Sequence, residues 1–366
     1  MARYARRKDG RYQANIVVGL DPQTGKYKYR TIYADTIAEL ERKKAEIKAD
    51  LSRGVYSDDE GYTVMEWGRQ WLQIYKSSVE KSTYLGYENM INKHMAIIGD
   101  IRLKDLKKTD IQMAINALNG HYESQRRLRL TINQMLECAI DDGLVSKNVC
   151  RRVELPHRPR SEKRALTNLE KKAIERCTEF TPKEKLFVYL LLYTGMRRGE
   201  VLALTQNDID LKRDLIDVNK AVGYGKNQAY PKHPKTDSGY RTIDILSPLK
   251  PLLRDYLKEL DTIYLFPDSK GQIMSKTVYR RFWDRIYRKL QTAAGYQGAG
   301  PNPIDGLTPH IFRHNFATML YYAGVDVKEA QRILGHSDSR TTIEIYTHLD
   351  QEQSKSKNKL ENFIAM

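Results

Sequence analysis

Five side chains that can act on a phosphate group stand in a fixed order in the second half of the chain. An arginine guanidinium can hydrogen-bond two phosphate oxygens at once and stays charged at neutral pH. A histidine can donate a hydrogen bond or move a proton in the same pH range, and a tyrosine hydroxyl becomes a nucleophile when it loses its proton. The five residues are Arg197, His310, Arg313, His336 and Tyr346. Together they suit nucleophilic attack on a phosphoryl group.

A helix that begins at Pro309 is expected to present the first histidine of the group. Thr308 can cap this helix, and proline suits its first position because the missing N–H would be unpaired there anyway. His310 and Arg313 are three residues apart and therefore share one helix face. Gly324 is expected to end the helix.

A second helix, residues 327–334, is expected to carry the next histidine at its end. Asp326 followed by Glu329 indicates a capping box at its start, and Gly335 indicates its end. His336 then lies just past the helix. Tyr346 follows ten residues later, on another short amphipathic segment.

The arginine upstream lies in the run T-G-M-R-R-G-E at residues 194–200. The first three residues of this run are the predicted break between two helices, 183–193 and 197–204, and Arg197 opens the second helix. The chain has 24 tyrosines and 62 lysines and arginines, so no one of these residues is diagnostic by itself. The joint pattern resembles the signature of the tyrosine recombinases, the phage-integrase family. That signature is T-G-x-R-x-x-E, then H-x-x-R, L-G-H and Y-T-H, and all four pieces occur here in order over about 150 residues.

The resemblance implies a DNA strand-transfer reaction. Arg197 and Arg313, with His310 and His336, would bind the scissile phosphate, and Tyr346 would attack it to leave a 3′-phosphotyrosyl enzyme. Such chemistry needs neither ATP nor a metal, so no cofactor-binding or metal-binding residues are assigned.

The same family uses a lysine on a β-turn as the acid for the leaving 5′-oxygen. The run P-K-T at residues 234–236 resembles that motif and points to Lys235. Lys232 is the competing assignment. Both lie in a segment, Gly223–Gly239, that is expected to be a loop between strands Leu215–Val222 and Tyr240–Leu246.

The amino-acid composition limits which kinds of protein this chain can be. The formal net charge is +16 and the isoelectric point about 9.5, which suits a partner that is a polyanion, with nucleic acid ahead of a membrane surface. No apolar run approaches the ~20 residues of a membrane span, and the N-terminus lacks the apolar region of a signal peptide. The three cysteines are widely spaced without metal-ligand spacing, so a reduced, cytosolic protein of the bacterial cell is expected.

The 366 residues exceed what one hydrophobic core usually supports, and three domains are expected. Their predicted bounds are 1–55, 62–155 and 166–366, joined by a short linker and by an extended basic segment, residues 151–165. The fold class is mainly α with small β-sheets: a β-β-β-α unit, a helical bundle and a mixed α/β domain. By resemblance these are an arm-type DNA-binding domain, a core-binding (SAM-like) domain and the catalytic domain with its C-terminal tail.

The N-terminal unit is predicted from its turns and its alternating pattern. Strands are expected at Ala2–Arg6, Tyr12–Leu20 and Lys26–Tyr33, followed by a helix at Ile37–Ser52. One sheet face would pack on the helix, and the other would show basic residues between tyrosines. Those basic residues are Arg3, Arg7, Arg11, Lys26, Lys28 and Arg30. Such a face, together with the resemblance of R-K-D-G-R-Y to the arm-binding domains of some integrases, favours a sheet laid in the DNA major groove.

The function expected is site-specific recombination of DNA that integrates and excises a mobile element of a phage or conjugative type. The N-terminal domain favours such an integrase over a Xer-type resolvase. The sequence also leaves open a type IB topoisomerase and a DNA-binding regulator with an idle site. The expected partners are double-stranded DNA attachment sites, three further copies of the chain in a homotetramer, and accessory DNA-bending and excision proteins, with no membrane. The tail, residues 350–366, has a short apolar stripe at helical spacing near its end. The resemblance implies that it reaches a neighbouring protomer, and the alternatives are a frayed end and docking on its own domain.

Overall fold

The computed structural model describes residues 4, 6–20, 26–52, 61–158, 164–234, 236–336 and 338–353. The chain divides into two compact units, residues 1–160 and 161–366. Helices with small antiparallel sheets make up both units, which confirms the predicted fold class. Within the described ranges, no helix combines the length and the apolar character needed to cross a membrane.

The first unit begins with a two-stranded antiparallel sheet and a helix packed on it. Strand β1 spans Tyr12–Leu20, strand β2 spans Tyr27–Ala34 and helix α1 spans Ile37–Ser52, in agreement with the prediction. Leu40 is fully buried among inward-facing side chains of both strands. The described end of the predicted strand Ala2–Arg6 forms a single bridge, Arg6 to Tyr12. The rest of that strand, Tyr4 excepted, and the turn at residues 21–25 lie outside the described residues.

The predicted distribution of basic residues between the two sheet faces is wrong for β2. Arg30 pairs with Ile16, which is buried under α1, so Arg30 lies on the helix side. Lys28 shares that side, because alternate residues of a strand share a face. The open face carries Gln13, Asn15, Val17, Tyr29, Thr31 and Tyr33. Arg7 and Arg11 reach it from outside the strands, with guanidinium carbons 5.0 and 5.4 Å from the centre of the Tyr33 ring.

A helical bundle follows in the same unit. Its α-helices are α2 (Val64–Tyr75), α3 (Lys81–Asn89), α4 (Lys108–Asn116) and α5 (Tyr122–Asp141), with a π-helical turn at Met90–His94 and 3₁₀ turns at Ala96–Ile98 and Leu103–Asp105. The apolar side chains of these helices meet in one core around the buried Trp67 and Trp71. The indole N–H of Trp67 donates to the carbonyl of Met135 at 3.0 Å, which ties α2 to α5.

The second unit contains eight α-helices in its described part. They are α6 (Asn168–Arg176), α7 (Pro182–Thr194), α8 (Arg198–Ala203), α9 (Lys250–Glu259), α10 (Lys276–Ala293), α11 (Pro309–Tyr322), α12 (Val327–Leu334) and α13 (Ser339–Gln353). Phe187 of α7 lies at the centre, with ring contacts to Phe266 and Phe282 at 5.3 and 5.2 Å. Glu184, also on α7, is buried and accepts hydrogen bonds from Arg285 and Lys289 of α10, both at 2.6 Å.

The strands of this unit differ from the prediction. One sheet has the order β3 (Ile209–Asp210), β4 (Leu215–Val218), β7 (Arg241–Asp244), and a separate hairpin pairs β5 (Ala221–Gly225) with β6 (Gln228–Lys232). The predicted strand Leu215–Val222 is therefore two strands in two sheets, and the predicted loop contains β6. The break has a physical cause: Asn219 and Lys220 turn inward to bind the buried carboxylate of Asp208 at 3.0 and 2.5 Å.

Helices α11 and α12 begin and end where the sequence predicts. Thr308 occupies the cap position of α11, but its side chain makes no capping hydrogen bond. Asp326 accepts the N–H groups of Lys328 and Glu329 and so caps α12. Glu329 does not complete the predicted capping box, because its carboxylate binds Arg332 instead.

Candidate active site

The C-terminal end of α12 gathers three arginines from three different elements. Three consecutive carbonyl oxygens there each accept a hydrogen bond from a different guanidinium group. The pairs are Arg241 Nε to Ile333 (2.7 Å), Arg313 Nη2 to Leu334 (2.6 Å) and Arg197 Nη2 to Gly335 (2.9 Å). The last carbonyls of a helix have no partner within the helix, and that end carries partial negative charge, so it attracts cations. The helix end thus holds a concentrated positive charge in place.

Glu200 is the carboxylate that balances part of this charge. It is buried, and it accepts hydrogen bonds from Arg197 Nη1 and Arg241 Nη2, both at 2.8 Å. Burial alone would raise the pKa of Glu200, but the hydrogen bond from Arg241 and the charges of both arginines outweigh it and lower the pKa. One negative charge therefore stands among three positive ones, and a net positive site remains for an anion.

Arg313 is the deepest of the three arginines, and Arg197 is the most open. The Arg313 side chain is buried, and its Nη1 donates to the carbonyl of Gly195 at 2.8 Å. Burial and the nearby charge of Arg197 lower the pKa of Arg313 to about 9, so the group is still charged at neutral pH. The Arg197 side chain is 44% exposed, which leaves it accessible to a ligand from solution.

His336 follows directly after the helix end, as predicted. Its ring Nδ1 lies 2.8 Å from the hydroxyl of Thr342. Burial, followed by the charges of Arg313 and Arg197, lowers the pKa of His336 to about 3, so the ring is neutral at physiological pH. Its backbone is held by Gln331, which accepts from the His336 N–H at 3.2 Å and donates from its side chain to the His336 carbonyl at 3.1 Å.

His310 is exposed on the first turn of α11, next to His314. Its ring is 4.7 Å from the ring of His314, in an edge-to-face arrangement. His314 in turn contributes to the lowered pKa of His336. The first turns of α11 thus carry an exposed His310 and a buried Arg313, so the two predicted residues differ in their exposure to solvent.

Tyr346 is not brought to the arginines in this structure. It is buried on α13, and its hydroxyl donates to the carbonyl of Val325 at 3.2 Å. Its ring packs edge-to-face on Tyr321, 5.2 Å between centres. Burial and the charge of Asp326 raise the pKa of Tyr346. A tyrosine hydroxyl must lose its proton to become a nucleophile, and in this arrangement the surroundings of Tyr346 oppose that loss.

The lysine assignment stays a prediction. Lys235 lies outside the described residues. Lys232, the competing assignment, ends strand β6 and is half-buried. In the part of the chain that the structure describes, no group of three or more His, Cys, Asp or Glu side chains is placed to hold a metal ion.

Residues 164–353 match the Phage integrase family, and residues 63–119 match the family described as Phage integrase, N-terminal SAM-like domain. The first match alone covers more than half of the chain. This chain belongs to the phage integrase family of tyrosine recombinases.

Relatives of the recombinase match it over nearly their whole length. A tyrosine recombinase XerC-like protein of Caldanaerobacter subterraneus subsp. tengcongensis is 26% identical over 93% of this chain and 93% of its own. The ICEBs1 integrase of Bacillus subtilis is 25% identical over 98% of each chain. This tyrosine recombinase is accordingly a DNA strand transferase that carries out site-specific recombination.

Solved structures share its fold. The Tn1549 transposon integrase in complex with a circular intermediate DNA has a TM-score of 0.69 and 21% identity, and the match covers 80% of this chain and 99% of that one. The lambda integrase tetramer bound to a Holliday junction has a TM-score of 0.60 and 22% identity over 93% of each chain. At these identities the likeness establishes the fold of the recombinase and no residue roles.

Three residues of the site were missed as contributors by the sequence reasoning. Glu200 was part of the quoted motif but was given no role, although its spacing of three from Arg197 could have suggested their ion pair. Arg241 and Thr342 carried no local signal. Their partners lie in other elements, so only the folded chain shows their contacts to Glu200, Ile333 and His336.

Proposed function

We propose that this recombinase integrates and excises a mobile element by cutting and rejoining DNA attachment sites through a phosphotyrosyl link at Tyr346. The observation that carries the proposal is the row of three arginines bound to the end of α12, with His336 next in the chain. A preorganised cluster of hydrogen-bond donors stabilises the charge that develops on a phosphoryl group in the transition state. The full-length similarity to the ICEBs1 integrase supports the role in a mobile element.

In the proposed reaction the Tyr346 oxygen attacks the scissile phosphorus, and the bond from phosphorus to the 5′-oxygen breaks. Arg197 and Arg313 bind the non-bridging oxygens, because each guanidinium presents several donors in a rigid fork. His310 accepts the phenolic proton. Lys235 protonates the leaving 5′-oxygen. The 3′-phosphotyrosyl bond retains the energy needed for rejoining when a 5′-hydroxyl of another strand attacks it.

His336 completes the binding of the phosphate. As a neutral imidazole it adds a hydrogen bond to a non-bridging oxygen without adding a further charge to the three arginines. The site requires Tyr346 to leave the Val325 carbonyl, since a hydroxyl bonded there cannot attack a phosphate held at the arginines. Movement of the Tyr346 side chain and of the segment of α13 after Thr342 therefore precedes cleavage in this proposal.

The proposed assembly is a homotetramer on two DNA duplexes, in the bacterial cytosol where its DNA substrate lies. The lambda integrase tetramer on a Holliday junction supports this state by analogy of fold. Residues 1–55 are assigned to arm-type DNA sites, residues 62–155 to the core site and residues 166–366 to catalysis. Residues 354–366 of the tail, which lie outside the described residues, are assigned to contact with a neighbouring protomer. Accessory DNA-bending and excision proteins complete the set of proposed partners.

The test is covalent trapping on a nicked attachment-site DNA, in which the cleaved fragment diffuses away. The native protein and Tyr321→Phe should both give a covalent protein–DNA adduct. Tyr346→Phe should bind the same DNA and give none, because only the hydroxyl is lost. An adduct that persists in Tyr346→Phe and disappears in Tyr321→Phe would move the nucleophile to Tyr321 and overturn the assignment.

A further inference from the structure

Thr342 is a buried hydroxyl beside the ring of His336. Its side chain is fully buried on α13, and its Oγ1 lies 2.8 Å from Nδ1 of His336. A hydroxyl at zero exposure has to find its hydrogen-bond partner within the protein. The contact therefore constrains both groups, and the direction of the bond decides where the proton of the imidazole sits.

The direction follows from how other helical threonines of this chain use their hydroxyls. Four of them donate their proton to the carbonyl four residues earlier, namely Thr131, Thr194, Thr292 and Thr318. Thr342 makes no such bond among the described residues, and His336 is its one hydrogen-bond partner there. If the hydroxyl accepted a proton from Nδ1, its own proton would be buried without an acceptor, which is costly. The hydroxyl therefore donates, and Nδ1 accepts.

We propose that Thr342 is a positioning residue that holds His336 in the tautomer with its proton on Nε2. The effect of this tautomer on catalysis rests on the proposed function. Phosphate oxygens only accept hydrogen bonds, so His336 can assist the reaction only through a ring N–H. With Nδ1 accepting from Thr342, that N–H is on the opposite nitrogen, Nε2.

The surroundings of His336 make the position of this proton decisive. The neighbouring arginines and burial keep the ring neutral at physiological pH, so it has one N–H rather than two. The His336 backbone is held separately, by the two hydrogen bonds to Gln331. Loss of the Thr342 hydroxyl should therefore change the ring proton and leave the chain in place.

The first measurement is the tautomer in the full-length native protein without DNA. Labelling the eight histidines with ¹⁵N and recording long-range ¹⁵N–¹H correlations distinguishes a protonated from an unprotonated ring nitrogen. The His336 signals are identified by their loss in His336→Gln. We expect a protonated Nε2 and an unprotonated Nδ1 at pH 7. A protonated Nδ1 in the native protein would overturn the inference without any variant.

The second measurement compares Thr342→Val, which has nearly the same shape without the hydroxyl, with Thr342→Ser, which keeps it. Thr342→Val should shift the ratio of the two tautomers by about tenfold, the effect of one lost buried hydrogen bond, and slow single-turnover cleavage by a similar factor. Thr342→Ser should restore both. Thr131→Val is the matched control, because it removes a buried helical hydroxyl of the helical bundle; it should change neither.

The outcomes separate this inference from the proposed function. If Tyr346→Phe still forms the adduct while the native tautomer is as expected, the proposed nucleophile is wrong and the Thr342–His336 relation stands. If the adduct depends on Tyr346 but Thr342→Val leaves both tautomer and cleavage unchanged, the inference fails and the proposed function stands. Slower cleavage in Thr342→Val with an unchanged tautomer would assign Thr342 a packing role only.

Discussion

The hydroxyl of Tyr346 donates a hydrogen bond to the carbonyl oxygen of Val325 at 3.2 Å. Val325 lies in the turn between α11 and α12, directly before the α12 cap Asp326, whose charge contributes to the raised pKa of Tyr346. In this docked position, with Tyr346 bonded to Val325, the hydroxyl stays protonated and its proton is engaged in a hydrogen bond. If Tyr346 is the nucleophile, as proposed, the barrier to cleavage includes the free energy needed to move Tyr346 away from the Val325 carbonyl.

Loosening this docked position should raise the rate of cleavage. Tyr321→Leu removes the edge-to-face ring contact to Tyr346, which is worth about 1 kcal/mol. We expect single-turnover cleavage of a nicked site to become several-fold faster if undocking limits the rate. Tyr322→Leu is the control, since Tyr322 is exposed and has no described ring contact with Tyr346. A slower rate in Tyr321→Leu alone would show that Tyr321 supports the active arrangement instead.

The buried pair of Glu200 and Arg241 should contribute strongly to stability. Glu200→Gln leaves the Arg241 charge buried without its carboxylate, and such a loss costs about 3 kcal/mol. The free energy of unfolding is measured in urea for Glu200→Gln, Arg241→Met and the double variant. The loss in the double variant should be smaller than the sum of the losses in the two single variants. Asp210→Asn is the control, because its partner Arg213 is exposed, and it should change unfolding little. Additive losses would mean that the two residues act independently.

Gly335 should tolerate no side chain, for two separate reasons. Its φ of +65° is the left-handed region, and a Cβ there would lie 2.8 Å from Arg241 Nη1 and 2.9 Å from the Ser238 carbonyl. Gly324 has a similar φ of +75° with open space around it. We expect Gly324→Ala to cost about 1 kcal/mol of unfolding free energy from backbone strain. Gly335→Ala should cost about 3 kcal/mol and also lose cleavage. Equal costs at both positions would show that crowding against Arg241 has no effect.

His336 should make the fold sensitive to acid. Its pKa is about 3 in the folded protein and near 6.5 when exposed, so below pH 6.5 the unfolded chain binds a proton that the folded chain does not. Stability is therefore lost as pH falls from about 6.5 towards 3. His336→Gln should reduce the loss of unfolding free energy between pH 7 and pH 5 by about 2 kcal/mol at most. His157→Gln, at an exposed position, serves as the control. An unchanged pH dependence in His336→Gln would contradict a neutral, buried imidazole.

Removal of residues 1–55 tests the proposed domain assignment. The N-terminal sheet and α1 share their own apolar core around Leu40, so the rest of the chain should fold without them. We expect the truncated protein to bind and cleave an isolated core site but to recombine full attachment sites poorly. Gel-shift and recombination assays on both DNAs provide the measurement. Loss of core-site cleavage would show that residues 1–55 do not form a separate arm-type domain.

Much of this recombinase could be read from the sequence because the signals are local. Helix α1 has the predicted bounds Ile37–Ser52, and α12 begins after Asp326 and ends at Gly335 as predicted. Caps, glycines at helix ends and apolar periodicity act over a few residues, so a single sequence carries them. The motif pieces around Arg197, His336 and Tyr346 are also short and local, so the sequence alone identifies the family.

The tertiary structure alone decided what these residues contact. Arg197 meets Gly335 across 138 residues of chain, and Arg241 meets Ile333 across 92. The faces of β2 depended on its pairing register with β1, which set Arg30 opposite Ile16. The Thr342 hydroxyl on His336 and the docking of Tyr346 on Val325 likewise join separate elements. Contacts of this kind follow from packing, where burial and charge pairing select one arrangement among many, and local sequence patterns do not encode that choice.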